Sequence, residues 1–140
     1  MKQFFLATVL FVSSFCFGGQ NQEAILGVWL TQLKDAKIQI YKKNNYYYGK
    51  VVWMKCPKDE AGRPIIDSKN PNKAMSNRTI MGIDIITKMT FKNNVWSGGE
   101  IYDPKSGDSY ACKMWLENGQ LKVRGYLGWL YDTKTWTRCS

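Results

Sequence analysis

Apolar and polar residues alternate with a period of two along most of the chain after residue 24. Between residues 36 and 42, Ile38 and Ile40 alternate with Lys37, Gln39 and Tyr41, which is the pattern of a strand that buries one face. Runs of this kind recur along the chain, and there is almost no helical period. They predict eight strands, at about 25–31, 36–42, 46–55, 83–91, 95–102, 110–116, 121–125 and 131–138.

Short polar connections separate most of these runs. Asn44-Asn45, Asn93-Asn94 and Asn118-Gly119 are residue pairs that tolerate the positive φ of tight hairpin turns. Six of the seven connections are short, which describes an antiparallel meander. The predicted fold class is therefore all-β, an eight-stranded antiparallel up-and-down barrel.

One connection, from Cys56 to Met81, is about 26 residues long and holds three of the four prolines. Alternating strand directions place it at the end opposite the turns after 42, 91 and 117. Loops of this length are usually lids, binding loops or disordered. The segment is expected to form either a lid over a site or a strap that packs through Ile65, Ile66 and Met75.

The two ends of the predicted barrel sequence carry a matched pair of motifs. Gly27-Val28-Trp29 lies on the first strand, and Trp136-Thr137-Arg138 ends the last. In small ligand-binding barrels, a Trp can plug one end while an Arg covers its ring as a cation–π partner. We expect Trp29 and Arg138 to meet at the barrel floor.

The N-terminus has the pattern of an export signal. Lys2 precedes an uncharged apolar run from Phe4 to Phe17, and small residues follow at Cys16 and Gly18. We predict a signal peptide at 1–18, a barrel domain at 19–140, a periplasmic or secreted location, and no membrane span after cleavage. A transmembrane anchor or a lipid on Cys16 is the less favoured alternative.

The chain is basic, with 20 Lys and Arg against 11 Asp and Glu, for a net charge of +9. Such charge attracts anionic surfaces, but the two signs are interspersed, so we expect no nucleic-acid partner. Histidine is absent, which removes the usual zinc sites, Ser–His or Cys–His nucleophiles and imidazole acid–base catalysis. We expect no metal, no cofactor and no enzymatic activity.

Three cysteines remain after the predicted cleavage, which in an oxidising compartment favours one disulfide. Cys56 and Cys139 belong at opposite ends of the barrel, too far apart for a bond. Of the three possible pairings, Cys56 with Cys112 is the expected one, with the start of the long loop closing the gap between them.

Several spaced motifs occur in a defined order between Gly27 and Arg138. They are Asp67-x-x-Asn70-Pro71, Arg78-x-x-x-Gly82, Trp96-x-Gly98-Gly99-x-x-Tyr102-x-Pro104-x-x-Gly107, Leu121-x-Val123-Arg124-Gly125-Tyr126 and Trp136-x-Arg138. Together they resemble the exported bacterial domain-of-unknown-function 2147 family. The resemblance implies a lipocalin-like barrel in the bacterial envelope and supplies no activity.

The chain departs from the family pattern at two places. Ser76 and Thr79 stand where the pattern has Arg and Pro, and Tyr131-Asp132 stands where a Gly-Arg pair is typical. If those arginines hold an anionic group in relatives, this chain binds it less well.

Two functions of different class follow. The first is binding of a small hydrophobic or amphipathic ligand, such as a fatty acid, inside the barrel. Arg78 would hold its anionic head, as a forked donor. The other candidate ligand-binding residues are Tyr48, Tyr102, Tyr110, Arg124 and Tyr126. The alternative is an envelope interaction module with a filled core that binds a protein or a surface polymer.

Overall fold

Eight antiparallel strands close into a barrel in the computed structural model, which describes residues 21–140. Each strand pairs with its neighbours in sequence, and β1 closes the barrel against β8. This confirms the predicted fold. The predicted signal peptide lies outside the described residues. The strands are β1 Gly27–Leu30, β2 Ala36–Lys43, β3 Tyr46–Met54, β4 Asp84–Lys92, β5 Val95–Asp103, β6 Asp108–Glu117, β7 Gln120–Leu127 and β8 Leu130–Arg138.

The barrel interior follows the alternation of apolar residues. On β2, Ile38 and Ile40 are both buried, while the intervening Gln39 is only partly covered. Met114 and Val123, which the pattern also places inward, are buried as well. One contiguous apolar core results.

Strand β4 departs from strict alternation. Ile85, Ile86 and Met89 are all buried, because the register with β3 shifts twice and Lys88 has a φ of 53°. Such a bulge turns an extra side chain inward. It brings the β4 backbone so close to β5 that a Cβ on Gly99 would overlap the carbonyl oxygen of Thr87. A larger residue at position 99 would have to push the two strands apart.

The barrel floor is built from the two motifs at the chain's ends. Trp29 is fully buried, and the Arg138 guanidinium lies 4.2 Å from its ring centroid. Arg138 also donates to the carbonyl oxygens of Leu26 (2.9 Å) and Ala24 (2.6 Å). Gly27 makes room for it, because a Cβ there would lie 2.9 Å from Nη1 of Arg138. The predicted contact between Trp29 and Arg138 is present.

The expected Cys56–Cys112 disulfide is wrong, since Cys56, Cys112 and Cys139 are all free thiols. Cys112 lies in the middle of β6, between Gly99 and Gly125 of the neighbouring strands. Its side chain points into the core and is 3% exposed. Cys56 is exposed just beyond β3, so the two thiols lie in different environments.

We expect Cys56 to react rapidly with a thiol reagent in the native protein and Cys112 to react only on unfolding. Burial raises the pKa of the Cys112 thiol to about 12, which keeps the reactive thiolate scarce. Timed labelling with peptide mapping measures the rate at each cysteine separately, and Cys56→Ser should leave Cys112 unlabelled in the native protein. A Cys56 that labels only after reduction would contradict the free thiols.

Candidate functional site

The upper half of the barrel encloses a cavity of about 660 Å³ that opens at the end carrying the long segment. Below it, Tyr47, Trp96, Met89 and Leu121 are buried and fill the space above the floor. The interior is therefore open above and filled below. The side chains that line the cavity wall are mainly aliphatic or aromatic, and include Ile38, Val51, Ile85, Ile101, Tyr110, Val123 and Trp136.

The cavity mouth carries charges of both signs, and its cations are paired. Lys105 forms a 2.9 Å salt bridge with Asp35, and Lys134 forms a 3.0 Å salt bridge with Asp132. Burial alone would raise the pKa of Asp35, but the hydrogen bonds from Lys105 and Thr31 and the charge of Lys105 outweigh it and hold the pKa below its usual value. The Asp35–Lys105 bridge also ties the β1–β2 turn to the β5–β6 turn. The mouth therefore presents little net charge to a ligand.

A fully buried carboxylate anchors the long segment beside the mouth. Asp67 accepts hydrogen bonds from the Tyr102 hydroxyl (2.5 Å), Asn70 Nδ2 (2.8 Å) and Arg78 Nε (3.1 Å). Burial alone would raise the pKa of Asp67, but these donors outweigh it and lower the pKa. Burial and the bond to Asp67 raise the pKa of Tyr102 to about 12.

This cluster makes the long segment a strap clamped to β5. Ile80, near the end of the segment, is buried and lines the cavity. Of the three residues expected to pack the strap, only Ile65 is partly buried against the core, whereas Ile66 and Met75 are exposed.

Two of the six candidate ligand-binding residues, Tyr102 and Tyr110, line the cavity. Arg78 does not, because its guanidinium is held by Asp67. The prediction that Tyr48 lines the pocket is wrong. Tyr48 lies outside and stacks on Tyr41 at 5.7 Å, while Tyr47 is buried in the interior.

Arg124 and Tyr126 also lie outside the cavity, because Val123 and Gly125 take the inward positions of β7. The Arg124 guanidinium packs 4.8 Å from the Trp115 ring centroid and 4.1 Å from that of Tyr131. Tyr126 contacts Tyr131 as well. The prediction that Tyr126 lines the pocket is wrong, and Arg124 does not line the cavity either.

Several wall and rim residues are not among the six candidates. Gly125 leaves open space on the wall, and its shared face with Leu121 and Val123 could have identified it. Leu127 and Leu130 form part of the rim. The sequence feature that could have identified them is an apolar turn, because turns are usually polar.

Comparison with known proteins places this architecture in a family. The family model described as "Uncharacterized protein conserved in bacteria (DUF2147)" matches residues 27–138. The chain belongs to the DUF2147 family. The match runs from the Gly of the floor motif to the Arg that covers Trp29, so it includes every strand of the barrel. No curated protein matches the chain.

A solved structure shows the same fold as this DUF2147 protein. It is protein HP1028 from the human pathogen Helicobacter pylori, described as belonging to the lipocalin family. The TM-score is 0.71, with 20% sequence identity and 83% of each chain covered. The likeness establishes a lipocalin-like barrel fold.

Between residues 21 and 140, no group of three His, Cys, Asp or Glu side chains is arranged to hold a metal ion. In the same range no helix has the length and apolar character needed to cross a membrane.

Proposed function

We propose that this DUF2147 protein binds a small, mainly apolar molecule in the upper half of its barrel. The observation that carries the proposal is the open, apolar-walled cavity of about 660 Å³. Pockets for small organic ligands typically measure about 300–1,000 Å³ and are lined mostly by apolar side chains with a few polar groups. Tyr102 and Tyr110 supply such groups on the wall. The open upper interior supports this proposal over the alternative, an envelope interaction module with a filled core.

The charges at the mouth favour a ligand with little net charge over a fatty-acid anion. Arg78 is engaged by Asp67, and the two lysines of the mouth each have a carboxylate partner. An anionic head group would therefore have to displace a salt bridge. We propose an apolar chain or ring system with a neutral or zwitterionic polar end.

We further propose that the protein acts by binding alone, outside the cytoplasm. The support for the location is the export-signal pattern at 1–18. The support for a non-catalytic role is the lack of histidine together with a cavity wall that is mostly hydrocarbon.

Gly125→Leu tests the site by filling it from the wall. A Cβ at position 125 would make ordinary contacts, 3.5 Å from Cβ of Tyr110 and 3.6 Å from Cγ2 of Ile101, so the larger side chain enters the cavity without backbone strain. We expect the affinity for a monoacylglycerol probe to fall at least about tenfold, or about 1.4 kcal/mol. Isothermal titration measures it.

Tyr126→Leu is the matched control, because it places the same side chain on the outer face of the same strand. It should bind the probe as the parent does. The fatty acid of equal chain length should bind no more tightly than the monoacylglycerol. Equal binding by Gly125→Leu and the parent would show that ligands do not enter this cavity.

A further inference from the structure

The two ends of the barrel have turns of opposite character. At the floor end, the three hairpins turn through Asn44-Asn45, Asn93-Asn94 and Asn118-Gly119, with positive φ at all six residues. At the open end, the β7–β8 hairpin turns through Gly128-Trp129 between the paired residues Leu127 and Leu130. Gly128, with a φ of 60°, satisfies the backbone requirement of the turn. Nothing in the turn geometry requires Trp129.

Exposed apolar side chains are concentrated at this open end. Trp129 is 87% exposed, and Leu33 and Leu127 are each 67% exposed. Eight of the eleven large exposed apolar residues in the described chain belong to open-end segments: Leu33, Ile66, Met75, Met81, Leu127, Trp129, Leu130 and Tyr131. Clustering of this kind marks an interaction surface.

Four of these residues form part of a rim around the cavity. The side chain of Gln32 accepts a hydrogen bond from the Thr135 backbone (2.8 Å), which holds the β1–β2 turn beside β8. Leu33, Leu127, Leu130 and Tyr131 also line the cavity mouth. The apolar rim is therefore continuous with the apolar interior.

The surroundings of the rim are cationic. Lys55, just before the long segment, and Lys58, Lys69 and Lys73 within it are all exposed, and none forms a salt bridge with a described residue. The same holds for Lys34, next to Leu33. Because Lys2 is the one charged residue before residue 21, the described chain carries +8 of the net +9.

We propose that the open end docks on the surface of an anionic lipid bilayer, with Trp129 at the tip of the contact. Tryptophan is favoured at the level of the lipid head groups, where an apolar face can bury while nearby lysines meet anionic lipids. A second copy of this chain is a poorer occupant, because it carries the same positive charge. This inference rests on the proposed function. Docking turns the cavity mouth toward the lipid phase, in which an apolar ligand dissolves.

Co-sedimentation with vesicles tests the proposal. The protein is purified with the N-terminus that processing in the cell produces. Mass spectrometry confirms that the parent and the variants begin at the same residue. It is mixed with vesicles of phosphatidylcholine alone or of phosphatidylcholine with a quarter phosphatidylglycerol. We expect preferential binding to the anionic vesicles and a loss of about tenfold in Trp129→Ser, with Trp129→Phe in between.

Tyr46→Ser is the control, because Tyr46 is 40% exposed at the floor end of β3 and should not affect binding. Trp129 does not line the cavity, so Trp129→Ser should keep the parent's affinity for the soluble monoacylglycerol probe. That separates failure of docking from failure of the ligand site. Three results would overturn docking: no vesicle binding by the parent, equal loss in Tyr46→Ser and Trp129→Ser, or a dimer that Trp129→Ser abolishes without any vesicle binding.

Discussion

Replacing Trp29 with alanine should lower the free energy of unfolding by about 3–5 kcal/mol. The side chain is fully buried, and its Nε1 donates to the Ile25 carbonyl oxygen at 2.9 Å. Its removal leaves a cavity at the floor and takes the aromatic partner from Arg138. Urea unfolding followed by circular dichroism measures the change.

Trp129→Ser is the control for this experiment, because it removes the same residue type from an 87% exposed position. Its effect on stability should stay within about 0.5 kcal/mol. A Trp29→Ala protein as stable as Trp129→Ser would show that the floor contributes little to folding.

Replacing Asp67 with alanine should lower the free energy of unfolding by about 2–3 kcal/mol at neutral pH. Three donors, on Tyr102, Asn70 and Arg78, lose their shared acceptor. The contribution of Arg78 is discounted because a third of its side chain is exposed to solvent. Asp132→Ala is the control, since Asp132 is a 73% exposed carboxylate in a surface salt bridge and should change stability by less than about 1 kcal/mol.

The same carboxylate gives stability a defined dependence on pH. The folded pKa of Asp67 lies below its ordinary value, so its contribution is present above the unfolded pKa of about 3.9 and is lost as the pH falls through the folded value. Acidification should therefore destabilise the parent more than Asp67→Ala. Parallel urea titrations at neutral and acid pH measure this, and equal losses in the two proteins would refute the buried anchor.

Much of the fold could be predicted from local patterns. The alternation on β2 and the Asn turns depend on residues near one another in sequence, and each local preference agrees with the final barrel. The floor contact is a long-range feature, but it was predictable because a Trp and an Arg at opposite ends of a meander become neighbours when the barrel closes. The apolar turn at Trp129 was equally visible in the sequence, although its place beside the cavity was not.

The residues that line the cavity depended on register, which local patterns leave open. In the run Tyr46-Tyr47-Tyr48 every residue is aromatic, so the sequence alone does not say which one points inward. In the folded barrel, Gly49 shows which face of β3 points inward. A Cβ there would lie 3.0 Å from side-chain atoms of Ile38 and Ile40, so position 49 is inward, and alternation then places Tyr47 inward and Tyr48 outward.

The sequence by itself therefore determined the fold class, the strand order, the closed floor and the chemistry of the turns. Only the tertiary structure decided which aromatic residues reach the interior, that the space above Trp96 is open, and that Arg78 serves as a partner for Asp67. The physical reason is distance along the chain. Strand faces and turns follow from neighbouring residues, whereas the cavity and the Asp67 cluster depend on packing between residues far apart in sequence.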